Sequence, residues 1–252
     1  MGVPVLEFRQ VSKGFGGLIA LYDLNFSLME AEILGLIGPN GAGKTTAINL
    51  ASGLIKPQSG QIFLAGEDIT GLPPWRIASL GLARSFQHLE ILEDFSVLEN
   101  VMVGLHRRGQ AGFLAALFRL PGAVREEKKL REEALAVLEA LGLKSLAFKI
   151  AGTLPYGLQR QVVLARAWAS RPRVILLDEP AAGLNAAEKK QLIRNIRHIQ
   201  SAGCAVLLVE HDMALVMEVC ERLLVLNHGR LIAQGPPREI QRHPEVVKAY
   251  LG

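Results

Sequence analysis

EILGLIGPNGAGKTTAINLASGL, residues 32–54, decides the fold. A near-continuous apolar run ends at Gly38, a glycine-rich loop follows, and helix-forming residues continue from there. Gly38 to Thr46, GPNGAGKTT, fits G-x-x-x-x-G-K-[ST], with Gly38, Gly43, Lys44 and Thr45 at the fixed positions and Asn40 and Gly41 inside the loop. Glycine lets backbone N–H groups curl around phosphate oxygens, lysine reaches the β- and γ-phosphates, and the hydroxyl binds Mg²⁺. The fixed positions would match somewhere in a chain of this length by accident about once in a hundred, so the strand-loop-helix context reads as a phosphate loop rather than a chance turn. A dinucleotide loop fits less well, because Thr46 stands where a third glycine is needed.

A second apolar run, VILLDEP at 174–180, closes on two adjacent acids. A buried strand tolerates carboxylates only at its end, where they meet a cation or water. At the C-terminal edge of a parallel sheet they lie beside the phosphate loop, so Asp178 suits the Mg²⁺ shell and Glu179 the polarisation of attacking water. Guanine specificity would call for N-K-x-D, which is absent, whereas Phe15 in SKGFGG offers adenine a ring to stack on. The nucleotide is therefore read as ATP.

Around these points the chain opens with β signals in VPVLEFRQVSK, LNFSLM and SGQIFLAGEDI. From about Trp75 to Ala169 the character turns helical, with Leu130, Ala134, Leu135, Val137, Leu138 and Leu141 forming one apolar face. Strands then alternate with helices through RVILLDEP, EKKQLIRNIRHIQ, CAVLLVEH and MALVMEVCERL to a hairpin-like LLVLNHGRLIAQG. Such alternation predicts a parallel sheet covered on both faces, with the middle of the chain as a helical insertion.

Composition narrows the function classes. The 252 residues are half hydrophobic, which excludes disorder and suits one large α/β domain. A net charge of +4 would be compatible with nucleic acid, but basic residues interleave with acids, as in VREEKKLREE, which marks a solvated helix face. Two cysteines, Cys204 and Cys220, give neither a disulfide framework nor metal-ligand spacing and fit a reducing, cytosolic compartment. No signal peptide, membrane-spanning run or myristoylation pattern is present, Leu6 standing where the last would want Ser or Thr.

With the phosphate loop, LPYGLQRQ at 154–161 and VILLDEP in this order, the whole chain, 1–252, resembles the ATP-binding cassette ATPases of membrane transporters. The resemblance implies a P-loop NTPase with a parallel core sheet, an N-terminal antiparallel β subdomain and an α-helical subdomain inserted at about 75–169. It also implies ATP and Mg²⁺ held between two head-to-tail cassettes. Phe15 then matches the adenine-stacking aromatic, Lys44, Thr45 and Thr46 the phosphate and Mg²⁺ contacts, and Gln87 in ARSFQHL the glutamine of a loop that binds the metal and reports to the membrane subunit. Glu179 matches the general base, His211 in LLVEHDM the γ-phosphate histidine, and AAGLN at 181–185 the loop touching the opposite site, with Asn185 in place of the commoner Asp. Tyr156, Gly157 and Gln159 fall in the signature that faces the partner cassette's ATP.

GLARSFQHLEILEDFSVLENVMVG, LLDEPAAGLN, VEHDM and the closing AYLG are most similar to the cassettes of branched-chain amino acid importers. That likeness implies an ATPase subunit on the inner face of the plasma membrane, attached through integral permeases and paired with a second cassette. A cassette for an amide or urea importer, or a regulatory ATP-binding module of low turnover, are the alternatives. His106 to Leu130 carries an apolar run too short to span a bilayer, read either as packing beside the coupling groove or as a surface helix. Pro155 stands where the common signature has serine, and supplies neither hydroxyl nor N–H. The amides of Gly157 and Leu158, near a helix start, are expected to remain for the anion. A heterodimer with one stronger and one weaker site would accommodate the loss.

Overall fold

The computed structural model describes residues 4–85, 90–105 and 121–251, with the side chains of 121–124 and 251 left aside. The chain divides into two compact units, one of 1–87, 173–182 and 189–252, the other of 88–172 and 183–188.

The first unit holds two sheets. β1 (Pro4–Phe15) and β2 (Leu18–Met29) pair antiparallel, with β4 (Ser59–Leu64) on the other side of β1 and β5 (Glu67–Asp68) at its edge. The second sheet has β3 (Ile33–Ile37), β6 (Leu82–Ser85), β7 (Val174–Asp178), β8 (Ala205–Val209), β9 (Arg222–Asn227) and β10 (Arg230–Gly235) in the order β10-β9-β3-β8-β7-β6. All its pairings are parallel except β9 with β10. β3, β7 and β8 are buried at every residue, which is why they read as unbroken apolar runs. Leu34 and Leu36, Val174 and Leu176, and Leu207 and Val209 face one core, where Phe8, Leu21, Leu24, Ile48 and Ile62 also sit.

β6 corrects the sequence reading, which ran the helical character through this stretch. LARS is short and half polar, and it becomes a strand only because β7 offers a parallel partner from Leu82↔Val174 to Ser85↔Leu177. Helices α1 (Lys44–Ala51) and α2 (Pro74–Ser79) complete the early part of this unit.

In the second unit, α3 (Val97–Leu105), α4 (Pro121–Ala140) and α5 (Tyr156–Ala169) pack together. Ala134, Leu138 and Leu141, on the face anticipated from periodicity, are buried. The remaining helices are α6 (Ala186–Ser201), α7 (Met213–Val219), α8 (Pro237–Ile240) and α9 (Pro244–Leu251). α7 ends earlier than its sequence pattern, because Arg222 already begins β9.

Candidate active site

In the second sheet β3, β8 and β7 are adjacent and parallel, so the loops leaving their C-terminal ends share one edge. The first of these loops is the phosphate loop. Gly38 has φ 148°, and a Cβ there would fall 2.1 Å from the Leu226 carbonyl oxygen; Gly43 has φ 105° and a Cβ would fall 2.6 Å from the Ala20 carbonyl oxygen. Only glycine satisfies both the backbone and the space. Gly43 leads directly into α1 with no side-chain cap, which leaves a helix N-terminus facing the loop. Lys44 Nζ donates to the carbonyls of Gly38 at 2.7 Å and Pro39 at 3.0 Å. Burial lowers the Lys44 pKa, opposed by the charges of Glu179 and Asp178.

A cavity of about 660 Å³ joins these groups, lined by Phe15, Asn40, Gly41, Gly43, Lys44, Thr45, Thr46 and Glu179, with Leu18, Ile19 and His228 beside them. Phe15 is half exposed at its rim, with the Lys13 ammonium 5.2 Å from the ring centroid. A polar floor with an exposed aromatic at one end suits a nucleotide, phosphates inward and base outward.

Asp178 ends β7 almost fully buried, and its carboxylate accepts from Arg84 Nη2 at 3.1 Å. Arg84 also donates to Asn49 Oδ1 at 2.7 Å and Ser52 Oγ at 3.2 Å, tying β6 and α1 to the acid. Burial raises the Asp178 pKa, with Arg84 acting against it. Glu179 follows with φ 48°, a left-handed backbone. Its N–H donates to the Val209 carbonyl at 2.9 Å, and its own carbonyl accepts from the Ala182 N–H at 3.2 Å. His211 Nδ1, after β8, lies 3.8 Å from Glu179 Oε1, and its side chain is largely exposed.

No group of three or more His, Cys, Asp and Glu among the described residues forms a metal cluster. One hydroxyl at Thr45 and one carboxylate at Asp178 are nonetheless a fitting donor set for Mg²⁺, which prefers hard oxygens and takes few protein ligands alongside phosphates and water. Gln87 lies outside the described residues, as do 106–120 of the stretch from His106 to Leu130.

The signature segment belongs to the second unit. Pro155 caps α5 with φ −53° and ψ 147°. The Leu158 N–H donates to the Pro155 carbonyl at 2.9 Å, as does that of Gln159 at 3.1 Å. The expectation of an open Leu158 amide is corrected: it closes the helix's first turn. Gln159 Nε2 donates to the carbonyls of Gly152 and Leu154, at 3.2 and 2.9 Å. Tyr156 is exposed, and its hydroxyl accepts from Arg160. At Gly157 a Cβ would fall 2.2 Å from Glu188 Oε1. Glu188 is held there because it forms a reciprocal cap with Asn185, taking the Asn185 N–H at 2.8 Å and giving its own to Asn185 Oδ1 at 3.0 Å.

Sequence reasoning did not single out Arg84 or Glu210. Arg84 carries no local signal, since its partner Asp178 is remote in sequence. Glu210 did carry one: like Asp178, it is an acid closing an apolar run, AVLLVE.

A glycine-wrapped lysine at a helix start after β3, an acidic pair at the end of β7 with only β8 between the two strands, and an aromatic at the cavity rim together define a P-loop nucleotide-binding cassette. The chain belongs to the ABC transporter family. The family model described as ABC transporter matches residues 21–182, and that of the branched-chain amino acid ATP-binding cassette transporter matches 230–252. The chain is 43% identical to the high-affinity branched-chain amino acid transport ATP-binding protein BraF of Pseudomonas aeruginosa, over 100% of this chain and 99% of the relative. To LivG of Escherichia coli K12, described in the same words, it is 40% identical over the same shares. The crystal structure of a nucleotide-free ATP-binding cassette from an ABC transporter matches with a TM-score of 0.86 at 30% identity, over 99% of this chain and 100% of that one. The ADP conformation of such a cassette gives the same TM-score at 30% identity, over 99% of each. The fold implied by the early resemblance, a P-loop ABC ATPase with parallel core and antiparallel sheets, is therefore that of this chain.

Proposed function

We propose that the chain is the ATP-hydrolysing subunit of an importer of branched-chain amino acids, acting as a peripheral cytoplasmic component attached through membrane permeases. The observation that carries the chemistry is the shared cavity of Phe15, the phosphate loop and Glu179, with His211 Nδ1 at 3.8 Å from the glutamate. The cargo rests on the names of the relatives at 43 and 40% identity, since a cassette does not itself touch what is transported. Among the described residues no helix is long and apolar enough to cross a membrane, so the membrane path is assigned to partner subunits.

Phe15 stacks on adenine, while the amides from Gly38 through Asn40 and Gly41 to Gly43 and the hydroxyl of Thr46 hold phosphate oxygens. Lys44 exchanges its loop carbonyls for the β- and γ-phosphates. Thr45, Asp178 and Gln87 would hold Mg²⁺, which when bound neutralises charge on the phosphates and orients them. Arg84 fixes the direction of the Asp178 carboxylate. Glu179 accepts a proton from the attacking water, and His211, within reach of the same carboxylate, contacts the γ-phosphate. Tyr156, Gly157 and Gln159 serve the ATP of a second cassette, and Gln87 reports to the permease.

The test uses the chain reconstituted with its permeases, sister cassette and substrate-binding protein. ATP turnover should rise with added leucine and fall at least a hundredfold in Glu179→Gln, with ATP binding retained. Uptake of leucine but not urea or amides supports the cargo; stimulation by urea or an amide alone would replace it. Wild-type turnover no higher than that of Glu179→Gln would overturn the ATPase assignment.

A further inference from the structure

One buried acid takes no part in the chemistry above. Glu210 is 1% exposed, and its two oxygens serve different segments. Oε1 accepts the Ala181 N–H at 2.7 Å, two residues past Glu179. Oε2 accepts the His211 N–H at 3.1 Å and the Asp212 N–H at 3.4 Å. We propose that Glu210 is a positioning residue, a two-armed clamp that holds the segment of the general base and the segment of His211 in one arrangement.

The need for a clamp lies in the backbone of Glu179. A left-handed conformation is strained for any residue with a Cβ, and it persists only where the surroundings over-determine it. Here the restraints include the Glu179 N–H on Val209, the Ala182 N–H on the Glu179 carbonyl and the Ala181 N–H on Glu210. The last is to a carboxylate, and hydrogen bonds to charged groups are the stronger kind; burial raises the Glu210 pKa, and the N–H groups of Ala181, Asp212 and His211 act against that. Because the same carboxylate accepts the His211 N–H and its Oε2 lies 4.0 Å from His211 Nδ1, it holds both the backbone and the ring that stand 3.8 Å from Glu179. An acid that served only to cap the turn into α7 would have no reason to reach Ala181, and that turn already has Asp212 accepting from Leu215.

Removing the clamp leaves the phosphate loop intact, so it should affect turnover more than binding. Glu210→Gln keeps the shape but puts an NH₂ group where one segment needs an acceptor; Glu210→Ala removes both arms. In the reconstituted complex each should lower kcat for ATP tenfold or more, with KM within about threefold of wild type. Adding Glu210→Ala to a Glu179→Ala, His211→Ala background should slow turnover no further, since a residue acting through those two adds nothing once both are gone. The effect on turnover presupposes the ATPase reading; amide hydrogen exchange on the purified chain does not. In either Glu210 variant, peptides covering 179–182 and 210–213 should exchange at least tenfold faster, while 38–46 stays as in wild type. Unchanged exchange in those two segments overturns the clamp whatever the activity. Equal rises in exchange across the whole first unit, or a loss of turnover that adds to that of the Glu179→Ala, His211→Ala pair, assign Glu210 to general stability instead.

Discussion

Phe15 presents an open ring at the rim of the cavity with Lys13 beside it, so its contribution to binding is separable from the phosphate loop's. Phe15→Ala should weaken ATP binding about tenfold, on the order of 1.4 kcal/mol, consistent with loss of one aromatic stacking contact. Fluorescent-nucleotide titration checks it, and an unchanged affinity would remove Phe15 from the site. Residues such as Lys44 and Asp178 were legible in the sequence because their chemistry needs fixed neighbours: a lysine after glycine, an acid closing an apolar strand. The partners that hold them were not. Arg84 reaches Asp178 only after β6 and β7 pair, and nothing in the letters DEP says that Glu179 adopts φ 48°.

Among the elements, α7 shows how a terminus is secured next to the site. Asp212 caps it by accepting from Leu215 at 3.2 Å, and Lys189 of α6 donates to the same carboxylate at 2.6 Å. The Lys189 hydrogen bond, then that of Leu215, lowers the Asp212 pKa. A carboxylate whose folded pKa is depressed contributes stability that is present above its unfolded value, about 3.9, and is lost as pH falls through the folded one. Asp212→Ala should therefore cost about 1 kcal/mol at neutral pH, the usual loss for a helix cap, and shrink toward zero in strongly acid solution. Urea melts at pH 7 and pH 3 measure this; a loss that grows with acidity would contradict the assignment. The strands β3, β7 and β8 were readable because burial on both faces demands unbroken apolar residues, whereas β6, LARS, has only four residues and two are polar. α7 was overrun in the sequence reading because CERL continues a helical pattern that the pairing of Arg222 with Leu34 ends.

For the whole molecule, the altered signature governs assembly. Pro155 offers no donor and the Leu158 amide is spent inside the helix. Purified Glu179→Gln with Mg-ATP should accordingly remain near its monomer mass of 27.4 kDa by light scattering, and form a dimer only with a sister cassette. A mass that doubles for the chain alone would show that the segment grips a γ-phosphate without help. The strand order has another consequence, for the birth of the protein on the ribosome. β1, β2, β4 and β5 close their sheet from the first part of the chain, but β3 has both of its partners, β8 and β9, near the end. Its apolar run ILGLI emerges early and waits unpaired through most of synthesis, the condition under which nascent chains stick to one another. The segment that leads into the phosphate loop is thus also one exposed during synthesis, and slow or interrupted translation before Val209 should yield aggregates rather than partly active protein.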